Sequence, residues 1–240
     1  MAAAAALLCF AAVALAQTNT NQYSVTGKIA SGGTKAKPKH VGVVFNYQIK
    51  TSDNTLSSPV KTYKIQFAGL KANTTGVAKG KYCTAASINA AATDSGCAKG
   101  THVGTGEVKA FVAAPGSAVT PTTAKCDLHL DIYAGSKSSL TLFLHGVQPD
   151  CIAPISQAID AKLKNASSGA SLSFTVPPVL LHPVTGLNSG ITSVSSNIAK
   201  GSGTTGVFTS VGCKGKRKVE VTFTAEAGGT GTASSTAGKC

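Results

Sequence analysis

The stretch that decides the fold is Cys126-Asp127-Leu128-His129-Leu130-Asp131-Ile132-Tyr133. It is followed by the turn-forming residues 134–139 (AGSKSS) and by Leu140-Thr141-Leu142-Phe143-Leu144-His145. In an extended chain successive side chains point to opposite faces. Cys126, Leu128, Leu130 and Ile132 therefore share one face, and Asp127, His129, Asp131 and Tyr133 share the other. The return segment repeats the pattern, with Leu140, Leu142 and Leu144 inward and Thr141, Phe143 and His145 outward. This is a β-hairpin with one buried face.

The same period of two recurs outward from the hairpin. Residues 41–49 are β-branched and aromatic, and residues 60–67 place Tyr63, Ile65 and Phe67 on one face. Residues 103–112, 172–176, 207–208 and 219–223 complete the strands, with Pro177-Pro178 ending one of them. A short helix is expected at 85–92. A second, amphipathic helix is expected at 152–163, where Ile152, Ile155, Ile159 and Leu163 recur at i, i+3, i+7 and i+11. Many short strands punctuated by Gly, Pro and Ser predict a mainly β protein. The expected form is an antiparallel β-sandwich, immunoglobulin-like in a broad sense, with one short helical insertion and three disulfides. The domain spans 40–240, preceded by a polar, Gly/Lys-rich N-terminal arm at 17–39. The linker-like stretch 113–125 is the one place where the domain admits subdivision. The low-complexity residues 227–239 are expected to fray unless Cys240 anchors them.

Residues 1–16 (MAAAAALLCFAAVALA) are apolar and end in Ala14-Leu15-Ala16 before polar Gln17, the pattern of a cleaved secretory signal peptide. No later stretch is long and apolar enough to form a membrane-spanning helix. Of the seven cysteines, one (Cys9) falls in this leader. The remaining even number in an exported chain predicts disulfides. Their spacing favours sequential pairing: Cys83–Cys97, Cys126–Cys151 and Cys213–Cys240. No C-x2-C spacing suggests zinc, and neither a metal nor a cofactor site is expected.

Lys81-Tyr82-Cys83, then Cys97, then Val103-Gly104-Thr105-Gly106 resemble the corresponding segment of a group of exported actinobacterial proteins without assigned activity. The chain end, with Cys213, a strand near Phe223 and the terminal Cys240, resembles theirs too. The resemblance implies an extracellular, disulfide-stapled, β-rich fold and supports the first and last pairings. It carries over no catalytic residue.

The chemistry-bearing candidates are few. Asp127, His129 and Asp131 stand in a row on the outward hairpin face, about 7 Å apart, with His145 on the return strand. With Leu128 opposite Leu144, His145 would face Asp127. A carboxylate beside an imidazole can orient a base or meet a cation, but a solvated face with a cross-strand ion pair is the simpler expectation. The hydrolase motifs G-x-S-x-G and H-E-x-x-H are absent. Gly104-Thr105-Gly106 lacks the third glycine of a phosphate loop and reads as a close backbone approach within a strand.

Charge is scarce but one-sided: 22 Lys+Arg against 9 Asp+Glu, a formal net charge of +13. Two basic clusters stand out: Lys35, Lys37 and Lys39, and Lys214, Lys216, Arg217 and Lys218. Arg217 is the only arginine. Base readers in nucleic-acid recognition lean on arginine, so a nucleic-acid partner is not expected. A cationic surface outside a cell meets anionic wall polymers instead. The sequence thus predicts an exported, non-catalytic extracellular or cell-surface protein that adheres to anionic envelope polymers. The alternative is a secreted hydrolase with an unrecognised site, which a deep pocket of converging polar groups would favour.

Overall fold

The computed structural model describes residues 21–201 and 205–240. The leader 1–16 with Cys9 lies outside the described residues. The strands are β1 (Asn21–Ile29), β2 (Lys39–Val41), β3 (Val43–Thr51), β4 (Val60–Ala68), β5 (Leu70–Ala72), β6 (His102–Ala113), β7 (Ala124–Lys125) and β8 (Leu128–Ser136). They continue with β9 (Ser139–Gly146), β10 (Ile155–Ala166), β11 (Gly169–Thr175), β12 (Asn188–Ile198), β13 (Phe208–Ser210), β14 (Lys216–Ala225) and β15 (Thr230–Lys239). Three short helices, α1 (Thr75–Ala78), α2 (Ala85–Ala91) and α3 (Pro178–Leu181), lie in the connections.

One antiparallel sheet dominates, in the order β1-β3-β12-β6-β8-β9-β10-β11-β4-β14-β15, with β7 added to β6. A small sheet β2-β13-β5 sits apart from it. The large sheet does not divide into the two facing sheets of a sandwich. It curls until its first and last strands meet. A Cβ on Gly27 of β1 would lie 3.3 Å from the Cβ of Ala237 on β15. Tyr23 of β1 stacks on Phe223 at 4.3 Å between ring centroids. The result is a nearly closed, barrel-like wall whose apolar face points inward. Val43, Phe45, Tyr47 and Ile49 of β3, Leu128, Leu130 and Ile132 of β8, and Val219, Val221 and Phe223 of β14 all belong to one buried cluster. Their neighbours Gln48, Lys50, His129 and Lys218 are exposed.

The expected hairpin is present, but its register is shifted by two: Leu130 pairs with Leu144 and His129 with His145. A two-residue shift preserves which face each side chain occupies. It arises because β8 runs on to Ser136 and pairs it with Ser139, leaving a tighter turn than the AGSKSS run implied. The helix expected at 152–163 is instead β10. Spacings of four residues fit both a helical turn and a doubled strand repeat. Here Ser156, Asp160, Lys162 and Lys164 are exposed between buried Ile155, Ile159, Ala161 and Leu163, which is the strand pattern. The N-terminal arm is also corrected in part. Residues 21–29 form β1, paired along its length with β3, because Val25 and Ile29 alternate with exposed Ser24, Thr26 and Lys28. The stretch 113–125 is no boundary: β6 and β8 on either side of it pair with each other. The low-complexity tail is strand β15, paired with β14.

The three disulfides join Cys83–Cys97, Cys126–Cys151 and Cys213–Cys240. They indicate an oxidising environment of the extracellular type. By loop-closure entropy each contributes about 3 kcal/mol. Cys83–Cys97 brackets α2, whose N-cap Thr84 Oγ1 accepts the Ser87 N–H at 3.1 Å. Through Ile88 this loop covers Tyr133, Phe143 and Ala158 on the outer face of the wall, forming a second small core. Thr141, outward on β9, is buried there and donates to the Cys83 carbonyl at 2.7 Å. The glycines at 104 and 106 lie where β6 meets β12. A Cβ there would be 2.4 Å from the Asn197 carbonyl oxygen and 2.1 Å from that of Ser195. No phosphate cradle is built at these positions; they are the close backbone approach that the sequence suggested.

Inside the wall, rings from β3, β4, β11 and β14 pack together. Tyr63 lies 5.0 Å from Phe174, 5.5 Å from Tyr47 and 5.6 Å from Phe223. The Tyr63 side chain is 2% exposed, and its hydroxyl lies against that of the likewise buried Tyr47. Burial pushes the Tyr63 and Tyr47 phenols well above their ordinary pKa. Removing one partner of a buried hydrogen bond costs about 1–3 kcal/mol. Tyr63→Phe, which takes that partner from the Tyr47 hydroxyl, is therefore expected to lower stability by about 1 kcal/mol in urea denaturation.

Candidate functional site

The strands are antiparallel, so the connections fall at two opposite ends of the wall. One end gathers the 30–42 loop, the turn before β14 and the end of β15. There the two basic clusters, distant in sequence, are brought together. Lys35 and Lys37 sit on a turn in which the Thr34 N–H donates to the Lys37 carbonyl at 2.9 Å. Lys39 on β2 pairs with Ser210 on β13. A Cβ on Gly33 would lie 2.5 Å from the Ser210 carbonyl oxygen, and one on Gly212 would lie 3.5 Å from Thr34 Cα. Three residues beyond Ser210, Cys213 is tied to Cys240. Lys214, Lys216 and Lys218 follow and are exposed, as are Lys35, Lys37 and Lys39. Lys216 pairs in register with Lys239. Among the described residues the three ion pairs all use histidine, and no lysine is paired with a carboxylate. The carboxylates Asp53, Asp127, Asp150 and Glu226 lie at the other end, in or beside the β3–β4, β7–β8, β9–β10 and β14–β15 connections. The charge of the wall is thus polarised along its axis.

Arg217 does not belong to the basic surface. It is fully buried. Strand β14 alternates, and Arg217 shares the inward phase of Val219, Val221 and Phe223. Its guanidinium donates to the Ser210 hydroxyl at 2.5 Å, the Lys239 carbonyl at 3.1 Å, the Gly32 carbonyl at 3.3 Å and the Gly69 carbonyl at 3.5 Å. Desolvation lowers its pKa, and those four acceptors take the place of a counter-ion. One side chain thereby ties the 30–42 loop, the turn after β4, β13 and β15 into the frame that carries the exposed lysines. The alternation from 217 to 223 was the signal that could have revealed this role.

The polar hairpin face holds a different arrangement from the expected one. Asp131 accepts from two imidazoles: His102 Nε2 at 2.8 Å on one carboxylate oxygen and His145 Nε2 at 3.0 Å on the other. His129 stacks beside His145 with centroids 5.5 Å apart, and Phe143 lies on its other neighbour side at 4.9 Å. Asp127 is not drawn in; its backbone N–H donates to the Asp150 carbonyl near the Cys126–Cys151 bridge. His102 was missed because a register shift between His102 and Gly104 brings it beside Tyr133 and Asp131, and no local pattern announces that. Desolvation raises the Asp131 pKa, but the hydrogen bonds from His145 and His102 outweigh it and hold the carboxyl below its ordinary value. Ser156 stands opposite His145 in register, yet its hydroxyl donates to the Ala92 carbonyl at 2.7 Å. With the carboxylate and that hydroxyl both engaged, the group acts as a clasp joining β6, β8 and β9. Among the described residues no cluster of three or more His, Cys, Asp or Glu side chains is arranged to hold a metal ion, and no helix is long and apolar enough to cross a membrane.

No known family, curated protein or solved structure matches the chain.

Removing the Arg217 fork is expected to unsettle the lysine-bearing end. Arg217→Met should cost about 3 kcal/mol in urea denaturation by leaving buried acceptors unpaired, and Arg217→Lys should recover only part of that loss. For the clasp, the folded pKa of Asp131 lies below the unfolded one. Its stabilisation is full above the ordinary carboxylate range and is lost as pH falls through the depressed value. Asp131→Asn should cost about 1 kcal/mol at neutral pH. It should also flatten the acid side of the stability profile measured from about pH 5 to pH 2.

Proposed function

We propose that this is an exported, non-catalytic protein that adheres to anionic envelope polymers through its lysine-bearing end. The observation that carries the reading is the convergence of Lys35, Lys37 and Lys39 with Lys214, Lys216 and Lys218 on a frame stapled by Cys213–Cys240 and Arg217. Among the described residues none of these lysines forms an ion pair with a carboxylate. A flexible polyanion gains from such a surface because several unpaired ammonium groups act over one Debye length, about 10 Å at 0.1 M salt. The compact ammonium group is a point charge rather than a geometric fork, so attraction by charge density suits it better than recognition of one defined group. The hydrolase alternative finds less support. The Ser156 hydroxyl, opposite His145 in register, is already committed to the Ala92 carbonyl.

Retention on immobilised anionic wall polymer, eluted with a salt gradient, tests the reading. Replacing Lys35, Lys37 and Lys39, or Lys214, Lys216 and Lys218, by Gln should weaken binding about tenfold or more at low salt. The equal-charge control Lys50, Lys61 and Lys125→Gln, at the opposite end, should change it little. Equal losses in all three variants, or retention that persists at high salt, would reject the end-specific electrostatic reading.

A further inference from the structure

On the outward face of β10, β11, β4, β14 and β15 the charges are kept apart. One row across these strands, in register, is Lys162, Ser173, Lys64, Thr222 and Thr232. The next is Lys164, Ser171, Gln66, Glu220 and Ser234. Every charge on these rows stands opposite a hydroxyl or an amide, never opposite its counter-charge. A face stabilised by its own charges sets opposite signs across from one another. Among the described residues none of these charged groups forms an ion pair. The face is also hollowed. A cleft of about 840 Å³ lies between α2 and β14, over Thr62, Lys64, Asp160, Lys162, Ser173 and Thr222. A second, of about 360 Å³, continues it past Lys64 to Gln66, Ser171, Lys218 and Glu220. One wall of this trough is fixed by the Cys83–Cys97 staple. The Asn89 amide of α2 also donates to the Ala158 carbonyl at 3.0 Å and accepts its N–H at 2.7 Å. The trough opens where the β10–β11 ladder ends at Lys162 and Ser173, although both strands run on. Phe174 and Pro177 line the cleft and supply its apolar part.

We infer that this trough binds an uncharged, polyhydroxylated chain, a glycan strand. A hydroxyl group both donates and accepts hydrogen bonds. It suits a surface where ammonium groups, carboxylates and hydroxyls alternate and the charges are unpaired. A polyanion gains less there, because Asp160 and Glu220 repel it. An apolar ligand would bury those charges without partners. The first cleft alone has the volume of an ordinary ligand site, roughly 300–1,000 Å³, and the second prolongs it. Equivalent positions recur about 4.8 Å apart across the strands and about 7 Å apart along them. Both features favour a repeating chain over a single small molecule. Binding rather than cleavage follows from the same register. Asp160 and Glu220 lie three strands apart, about 14 Å, beyond the roughly 5–9.5 Å of a hydrolytic carboxylate pair. No imidazole lines either cleft. The trough meets the lysine-bearing end only at Lys218, so the inference stands whether or not that end holds a polyanion.

Uncharged hexasaccharides of N-acetylglucosamine and of glucose serve as probes, titrated into the full disulfide-bonded chain by NMR. At least one should bind saturably, with shifts centred on Lys64, Ser173 and Thr222. Its affinity should change less than about twofold between about 0.05 M and about 0.5 M salt. Ser173→Ala combined with Thr222→Val should weaken binding about fivefold or more. Ser24→Ala combined with Thr26→Val, the same change on the exposed face of β1, should leave it unchanged. Replacing Lys35, Lys37 and Lys39 by Gln should also leave it unchanged, which separates this site from polyanion adhesion. The inference is overturned if neither sugar binds, if the shifts centre elsewhere, if binding fades at high salt, or if the trough and β1 variants lose affinity equally.

Discussion

A sheet with one apolar face must hide that face from water. In this chain there is no second sheet of comparable size to cover it and no long helix among the described residues. The remaining solution is for the sheet to curl until its edges approach. Strand twist makes such curling natural, and it also protects the edge strands from pairing with other chains. Small residues at the seam permit it. Gly27 lets β1 come close to Val219 and Ala237, and Gly231 leaves room for the Tyr23 ring over Phe223. Thr, Ser, Gln and Lys are left on the outside, and the rings of Phe45, Tyr47, Tyr63, Phe67 and Phe223 are gathered within.

Curling fixes the two ends of the wall, and each acquires a character. At one end the small sheet β2-β13-β5 buries Val41, Leu70 and Phe208, and the polar turns around it are tied down by other means. A buried guanidinium with four acceptors and a disulfide take over that task. The arginine is suited to this because its planar fork presents five donors in fixed directions, whereas lysine would leave acceptors unpaired. The consequence is a rigid platform from which flexible lysines project. At the other end α3 and its histidine contacts close the lumen.

The outer wall near the hairpin shows why a row of polar residues need not be a reactive site. Asp131 is saturated by two imidazoles, and Thr141 and Ser156 each donate to a backbone carbonyl of the Cys83–Cys97 loop region. These contacts bind a helix-bearing loop to the wall. Chemistry of the Ser–His–Asp kind needs a free hydroxyl beside an oriented base, and that combination is not formed here.

Much of this was legible along the chain. Strict alternation in 126–145 and 60–67 determined strands and their buried faces, since that period needs no tertiary information. Cysteine spacing favoured the sequential pairing that the structure shows, because each pair closes a short loop. The composition determined the cationic character. The sequence could not decide between helix and strand at 155–163, where a spacing of four residues satisfies both periods and only pairing with β9 and β11 settles it. Nor could it decide between sandwich and barrel-like closure, which depends on accumulated twist and on which strands meet at the seam. The tertiary structure alone brought Lys35 beside the Lys214 turn, drew His102 to Asp131, and turned Arg217 from a surface charge into the buried centre of that end. Proximity between residues far apart in sequence is a property of the folded path, and no local pattern encodes it.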